Sequence, residues 1–79
     1  MKYTDYFVRD PVICGGEPVA RGTRVTLRTI LASLAEGAST EEILADFPTL
    51  TQEHVRAAIA FAAASAEEDL PVPGIPDVA

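Results

Sequence analysis

The sequence predicts a mainly α-helical fold: a short N-terminal β-hairpin or extended arm over residues 1–26, then a three-helix helix-turn-helix bundle over 27–69. Three observations carry this. The first 26 residues are rich in β-formers (Tyr3, Tyr6, Phe7, Val8, Val12, Ile13) and show no helical period. From residue 27 onward, apolar residues recur at helical spacing in three successive segments. The last two segments are joined only by Phe47-Pro48-Thr49-Leu50, and a short helix, tight connection and longer helix form the helix-turn-helix layout.

In the arm, Gly15-Gly16 lies between Val12-Ile13-Cys14 and Pro18-Val19-Ala20, a spacing that predicts a hairpin-like reversal there. Pro18 cannot donate to a ladder, so its strand is expected at an edge or irregular. Gly22, inside Arg21-Gly22-Thr23-Arg24, predicts a second tight turn, with Thr23 hydrogen-bonding the turn.

The first helix begins at an N-cap, Thr26, with Val25 placed to staple onto Ile30. Leu27, Ile30, Leu31 and Leu34 make one buried stripe, and Gly37 stops the helix as its C′ residue. In the second helix, Ser39 and Glu42 have the spacing of a capping box; Ile43, Leu44 and Phe47 face inward, and Pro48 ends the segment. Thr51 caps the third and longest helix, with Leu50 and Val55 as a staple. Its expected core face is Val55, Ala58, Ile59, Ala62 and Ala66. A second apolar strip, Ala57, Phe61 and Ala64, needs its own cover, from the arm or another subunit. The acids Glu67-Glu68-Asp69 oppose the helix dipole and fray its end.

Residues 1–69 are read as a single domain and residues 70–79 as a Pro-rich tail. The tail holds three prolines interleaved with Leu70, Val72, Ile75 and Val78; it is either a disordered end or a peptide that docks extended on a partner.

The totals limit function. A chain of 79 residues buries only about 60–65% of its unfolded surface, so its stability is marginal. One cysteine, Cys14, allows no internal disulfide, and one histidine, His54, leaves no metal-ligand set. A homodimer or a partner protein is the expected source of further buried surface. No apolar leader marks residues 1–10, and the longest apolar run, Ala57 to Ala64, is far short of the roughly 20 residues of a membrane span. With a free thiol, this points to a cytoplasmic protein that does not enter a membrane.

The net charge of −6 is uneven. Residues 1–35 hold five basic groups against three acids, a balance of +2; residues 36–79 hold Arg56 alone against nine acids, a balance of −8. The whole chain is therefore a poor sequence-blind DNA binder. Arg21, Arg24 and Arg28 form a local basic group, either suited to phosphate or simply a solvated face. On the third helix, Gln52 suits adenine and Arg56 guanine, while Glu53 repels phosphate. Phe61, Leu70, Val72 and Ile75 are the candidate partner-binding residues. No catalytic constellation is evident: Cys14 and His54 as a nucleophile and base is weaker than Cys14 as a small buried filler. The chain is read as a binding module with no enzymatic activity and no cofactor.

Two stretches go further. Asp10-Pro11-x-Ile13-Cys14-Gly15-Gly16-x-Pro18-Val19-x-Arg21-Gly22-Thr23-Arg24-Val25 is the first. Leu34-Ala35-x-Gly37-x-Ser39-x-Glu41-Glu42-Ile43-Leu44-x-Asp46-Phe47-Pro48-x-Leu50-Thr51 is the second. Together they closely resemble the bacterial family catalogued as domain of unknown function 433, over about residues 5–70. The resemblance implies a homeodomain-like helix-turn-helix fold and a VapB-like, type II antitoxin. Such a protein binds and silences a PIN-like nuclease toxin and represses the shared operon through operator DNA. The alternative is a protein-interaction or dimerisation module that never touches DNA. One departure bears on mechanism. VapB-like antitoxins often present an arginine to the nuclease centre, whereas residues 67–79 contain no basic residue. Arg21 or Arg24 would have to serve instead, or the tail would block by occupancy alone.

Overall fold

The computed structural model describes residues 2–68. Its order is a 3-10 turn at Tyr3–Asp5, strand β1 (Phe7–Val8), a second 3-10 turn at Cys14–Gly16, strand β2 (Val19–Ala20), then helices α1 (Leu27–Ala35), α2 (Thr40–Asp46) and α3 (Gln52–Glu68). The fold is mainly helical with a short antiparallel hairpin before it, as the sequence predicts.

The hairpin differs from expectation in its partners. Phe7 pairs with Ala20 and Val8 with Val19, so the reversal spans residues 9–18. Val12-Ile13-Cys14 forms no strand. Gly15-Gly16 instead completes a left-handed turn in which Cys14, Gly15 and Gly16 all have positive φ (51°, 65° and 84°). Two glycines in a row make such a turn accessible, and Cys14 is the residue that bears the Cβ strain. Pro18 lies just outside β2, which is an edge strand of a two-stranded sheet, as expected. Its other side is held by Ala20 N–H to Val25 O (2.9 Å), Leu27 N–H to Pro18 O (2.9 Å) and a bridge between Val19 and Thr26. Proline needs only its carbonyl there, so it costs no ladder bond.

The helix boundaries follow local chemistry. Thr26 Oγ1 accepts the Thr29 N–H (3.1 Å). At the other end of α1, Ala38 N–H reaches Ser33 O and Gly37 N–H reaches Leu34 O, both at 3.0 Å, around Gly37 at φ 92°. This double bond pattern satisfies carbonyls the helix leaves open and needs a residue tolerant of positive φ. Ser39 Oγ accepts the Glu42 N–H (3.1 Å) while Glu42 Oε1 accepts the Ser39 N–H (2.9 Å), a complete capping box. The Ser39 backbone N–H first, and its hydroxyl second, hold the Glu42 carboxyl below its ordinary range.

The core gathers Ala20, Leu27, Ile30, Ile43, Leu50, Val55 and Ala58, with Phe7, Val25, Leu31, Leu34, Leu44, Phe47 and Phe61 packed around it. Ile30, Ile43 and Val55 are fully buried, one from each helix. On α3 the buried face is His54, Val55, Ala57 and Ala58; Ile59, expected in the core, is half exposed, and Ala66 is exposed. The helix has turned toward the arm rather than toward the Ile59 side. Tyr3 meets Phe61 edge to face with centroids 5.6 Å apart, and the Tyr3–Asp5 turn packs on α3. The arm therefore supplies the cover that the Ala57/Phe61/Ala64 strip needs. No helix among the described residues is long and apolar enough to cross a membrane.

Candidate nucleic-acid and partner surfaces

The α2–α3 connection is tied by two local backbone hydrogen bonds. Phe47 N–H returns to Ile43 O and Leu50 N–H to Phe47 O, both at 2.9 Å, which tightens the turn around Pro48. Leu50 is buried at its end and anchors the start of α3. There, Thr51 Oγ1 accepts the His54 N–H (3.3 Å) and His54 Nδ1 accepts the Thr51 N–H (3.0 Å). This is a capping box with histidine where glutamate or glutamine is usual. A ring nitrogen that accepts a backbone N–H carries no hydrogen itself, so the neutral ring holds its hydrogen on Nε2. The ring is buried and meets Tyr6 edge to face at 6.3 Å. His54 is thus the pin that fixes α3 to the arm. Its signal in the sequence is Thr51-x-x-His54 at capping-box spacing, which the search for metal ligands passes over.

Pinning His54 inward aims the opposite side of the same turns outward. Gln52, Glu53 and Arg56 are exposed at the start of α3. Among the described residues, Gln52 and Arg56 side chains make no hydrogen bond or ion pair. Arg24 lies near this unit: it lines a groove of ≈ 520 Å³ with Thr49 of the α2–α3 connection and with Asp10, Ile13 and Thr23. The turn that carries Arg24 is set by Thr23, whose hydroxyl donates to Ala20 O (2.8 Å) and accepts the Val25 N–H (3.0 Å), and by Gly22 at φ 82°.

The other two arginines are used differently. Arg21 Nε donates to Asp5 O (2.9 Å), which ties the β2–α1 turn to the arm. Arg28 pairs with Glu17 at 3.1 Å and lines a different groove, of ≈ 470 Å³, with Pro18, Leu27, Leu31, Ala32, Ala35 and Phe61. The sequence groups Arg21, Arg24 and Arg28 by proximity along the chain; the fold assigns one to the helix-turn-helix side, one to the arm and one to an apolar groove. The Arg28 groove adjoins a second, ≈ 190 Å³, which shares Pro18, Leu27 and Phe61 and adds Tyr3, Phe7 and Arg9. Arg9, which the sequence reading passes over, is positioned by Nη1 donating to Gly16 O (3.3 Å). Of the candidate partner residues, Phe61 is half-buried and floors both apolar grooves, while Leu70, Val72 and Ile75 lie outside the described residues.

Cys14 and His54 do not face one another's chemistry. Cys14 is exposed rather than a buried filler, because the left-handed turn at residues 14–16 carries it on the surface; its thiol donates to Arg24 O (3.4 Å), whereas His54 Nδ1 is taken by Thr51. Among the described residues no three His, Cys, Asp or Glu side chains cluster as a metal site.

Comparison with known proteins adds the following. The family model described as "Protein of unknown function (DUF433)" matches residues 8–62. The chain is similar to an uncharacterized protein, y4eO, of Sinorhizobium fredii, with 46% identity over 55 residues, which cover 70% of this chain and 25% of that protein. It thus spans a quarter of that relative's length. A crystal structure of a DUF433 member from Anabaena variabilis superimposes with a TM-score of 0.68 at 34% identity, covering 78% of this chain and 61% of that one.

Proposed function

The chain belongs to the DUF433 family, whose function is unknown, and on that premise we propose that it is a non-enzymatic, antitoxin-type binding module of the cytoplasm. In this reading it forms a homodimer, places the start of α3 on operator DNA, and silences a PIN-like nuclease toxin through its apolar surfaces. The observation that carries the reading is the polar pair Gln52 and Arg56, exposed on a pinned helix and making no side-chain hydrogen bond or ion pair among the described residues. In helix-turn-helix units the N-terminal part of the last helix meets base edges, and these two side chains suit adenine and guanine. Arg24, which shares a groove with Thr49 of the α2–α3 connection, supports the reading as a candidate phosphate contact. The apolar grooves over Phe61 are lined by residues of α1 and the arm and by neither Gln52 nor Arg56, which supports a reading with separate surfaces for DNA and for protein.

The test is a gel shift on the DNA upstream of the gene, alone and with the neighbouring gene product, at low salt. The expected result is a shift that Arg56→Ala weakens. No shift in either arm would sink the DNA half. The second reading, an interaction module that never touches DNA, is favoured by the acids of these helices: Glu53 beside Gln52 in sequence, and Glu41, Glu42 and Asp46 exposed on α2. Co-purification with the neighbouring gene product in the absence of any DNA shift would select it.

A further inference from the structure

We infer that the groove between the arm and the α2–α3 connection is a seam for a second copy of this chain, in which the Val12 of each copy enters the groove of the other about a two-fold axis. Resting on the homodimer of the antitoxin reading, the seam gives that dimer its surface.

The knob comes first. Val12 is 87% exposed, a large apolar side chain standing in water. Its backbone is tied down. Ile13 N–H returns to Asp10 O (2.9 Å) and Asp10 Oδ1 accepts the Val12 N–H (2.9 Å), with Pro11 as the second residue of the turn. Aspartate at the first position and proline at the second favour such a turn. The next turn is closed as well, by Gly16 N–H to Ile13 O (3.0 Å). An apolar side chain held out on a closed turn loses little freedom on docking, so most of its burial counts toward association.

The hole lies beside it. The groove, of ≈ 520 Å³, has Val8, Ile13, Val19 and Val25 as its apolar lining, and Asp10 and Arg24 as its charged lining. Val19 is buried and the other three are half-buried, so strand and turn fix the apolar surface in place. Asp10 and Ile13, which flank the Pro11-Val12 pair in sequence, both line the groove. Knob and hole are therefore neighbours on one surface. That is what an isologous contact requires: a two-fold axis between them puts each knob in the other copy's hole and closes the assembly at two.

Charge selects the same occupant. The net charge of −6 opposes self-association in general, so a seam needs local attraction to offset it. The groove lining offers one acid and one base, and among the described residues Asp10 and Arg24 make no ion pair with each other. About the two-fold axis, Arg24 of one copy comes to Asp10 of the other, twice. A uniformly acidic or basic partner would satisfy one of these groups and oppose the other, whereas a second copy satisfies both. Gln52 and Arg56 do not line this groove. In the dimer Arg24 faces Asp10 rather than phosphate, so the DNA half of the antitoxin reading falls on Gln52 and Arg56.

The test is sedimentation velocity of the full chain over micromolar to millimolar protein. The expected result is a reversible monomer–dimer equilibrium with no larger species. Val12→Asp is expected to raise the dimer dissociation constant about a hundredfold or more, since two valines lose apolar burial worth about tenfold or more each. Its circular dichroism and its urea midpoint at dilute protein should match wild type, because the Val12 side chain is exposed in the single chain. Arg24→Glu should weaken the dimer about tenfold or more, through two like-charge contacts with Asp10. Adding Asp10→Asn should recover most of that loss, since asparagine removes the charge while its amide oxygen still accepts the Val12 N–H. A chain that is monomeric at every concentration overturns the seam and leaves the groove to a different partner. So does a dimer that Val12→Asp leaves intact, a loss in Arg24→Glu that Asp10→Asn does not relieve, or growth beyond two copies. A dimer that survives Val12→Asp has its seam elsewhere and still meets the antitoxin reading, whose own test is the gel shift.

Discussion

Replacing His54 by alanine should be the most damaging single change at the surface-facing end of the fold, and its size can be worked from two contacts. The imidazole accepts the Thr51 N–H at 3.0 Å and meets the Tyr6 ring at 6.3 Å. Loss of a capping side chain costs about 0.5–2 kcal/mol. Loss of an edge-to-face ring contact costs about 0.5–1.5 kcal/mol. Together these give roughly 2–3 kcal/mol, against the roughly 3–5 kcal/mol that a core of this size supplies. His54→Gln separates the two, because glutamine can accept the Thr51 N–H but has no ring for Tyr6. It should recover about 1 kcal/mol of the loss. The assay is urea unfolding followed by far-ultraviolet circular dichroism near neutral pH. With a slope of about 1 kcal/mol/M for a small domain, His54→Ala should lower the midpoint by about 2–3 M and His54→Gln by about 1–2 M. A His54→Ala midpoint within about 0.5 M of wild type would refute the pinning role, because that difference is less than one cap is worth. Equal losses for the two variants would show that the histidine contributes packing and not a cap.

Three further outcomes are expected. Gly37→Ala meets no atom within 4 Å of its new Cβ, so its cost is purely the positive φ of 92°, about 1–2 kcal/mol in thermal or urea unfolding. Glu42 has its folded-state pKa lowered below the ordinary 4.5, so the stability it lends is present above that value and lost as pH falls through the lowered one. Glu42→Gln lacks this dependence, and its urea midpoint should trail wild type at neutral pH and approach it as the pH is taken progressively below 4.5, where a constant gap would contradict the capping account. If α3 reads DNA, Arg56→Ala should weaken operator binding by roughly tenfold or more, the worth of one base contact, and leave the unfolding midpoint unchanged because its side chain is exposed and unpaired among the described residues.

The helices were legible because their boundaries are written in neighbouring residues. Thr26, Gly37, Ser39 with Glu42, and Thr51 each satisfy or release backbone groups within four positions of themselves, so spacing alone locates them. The arm was legible only in type. Val12 and Ile13 have the β propensity that Val8 and Val19 have, yet Val12 is 87% exposed and the ladder joins Phe7–Val8 to Val19–Ala20. What decides between them is a partner distant in sequence, which no local pattern encodes.

The amino-acid sequence by itself therefore determined a mainly helical chain with a helix-turn-helix order, its caps, its charge asymmetry and its family resemblance. Only the tertiary structure decided which face of each element is free. Turning α3 so that His54 rather than Ile59 is buried exposes Gln52 and Arg56, and closing the arm on Phe61 divides three neighbouring arginines among three surfaces. Side-chain direction is set by long-range packing, which selects one rotation of a helix among several that its own period allows.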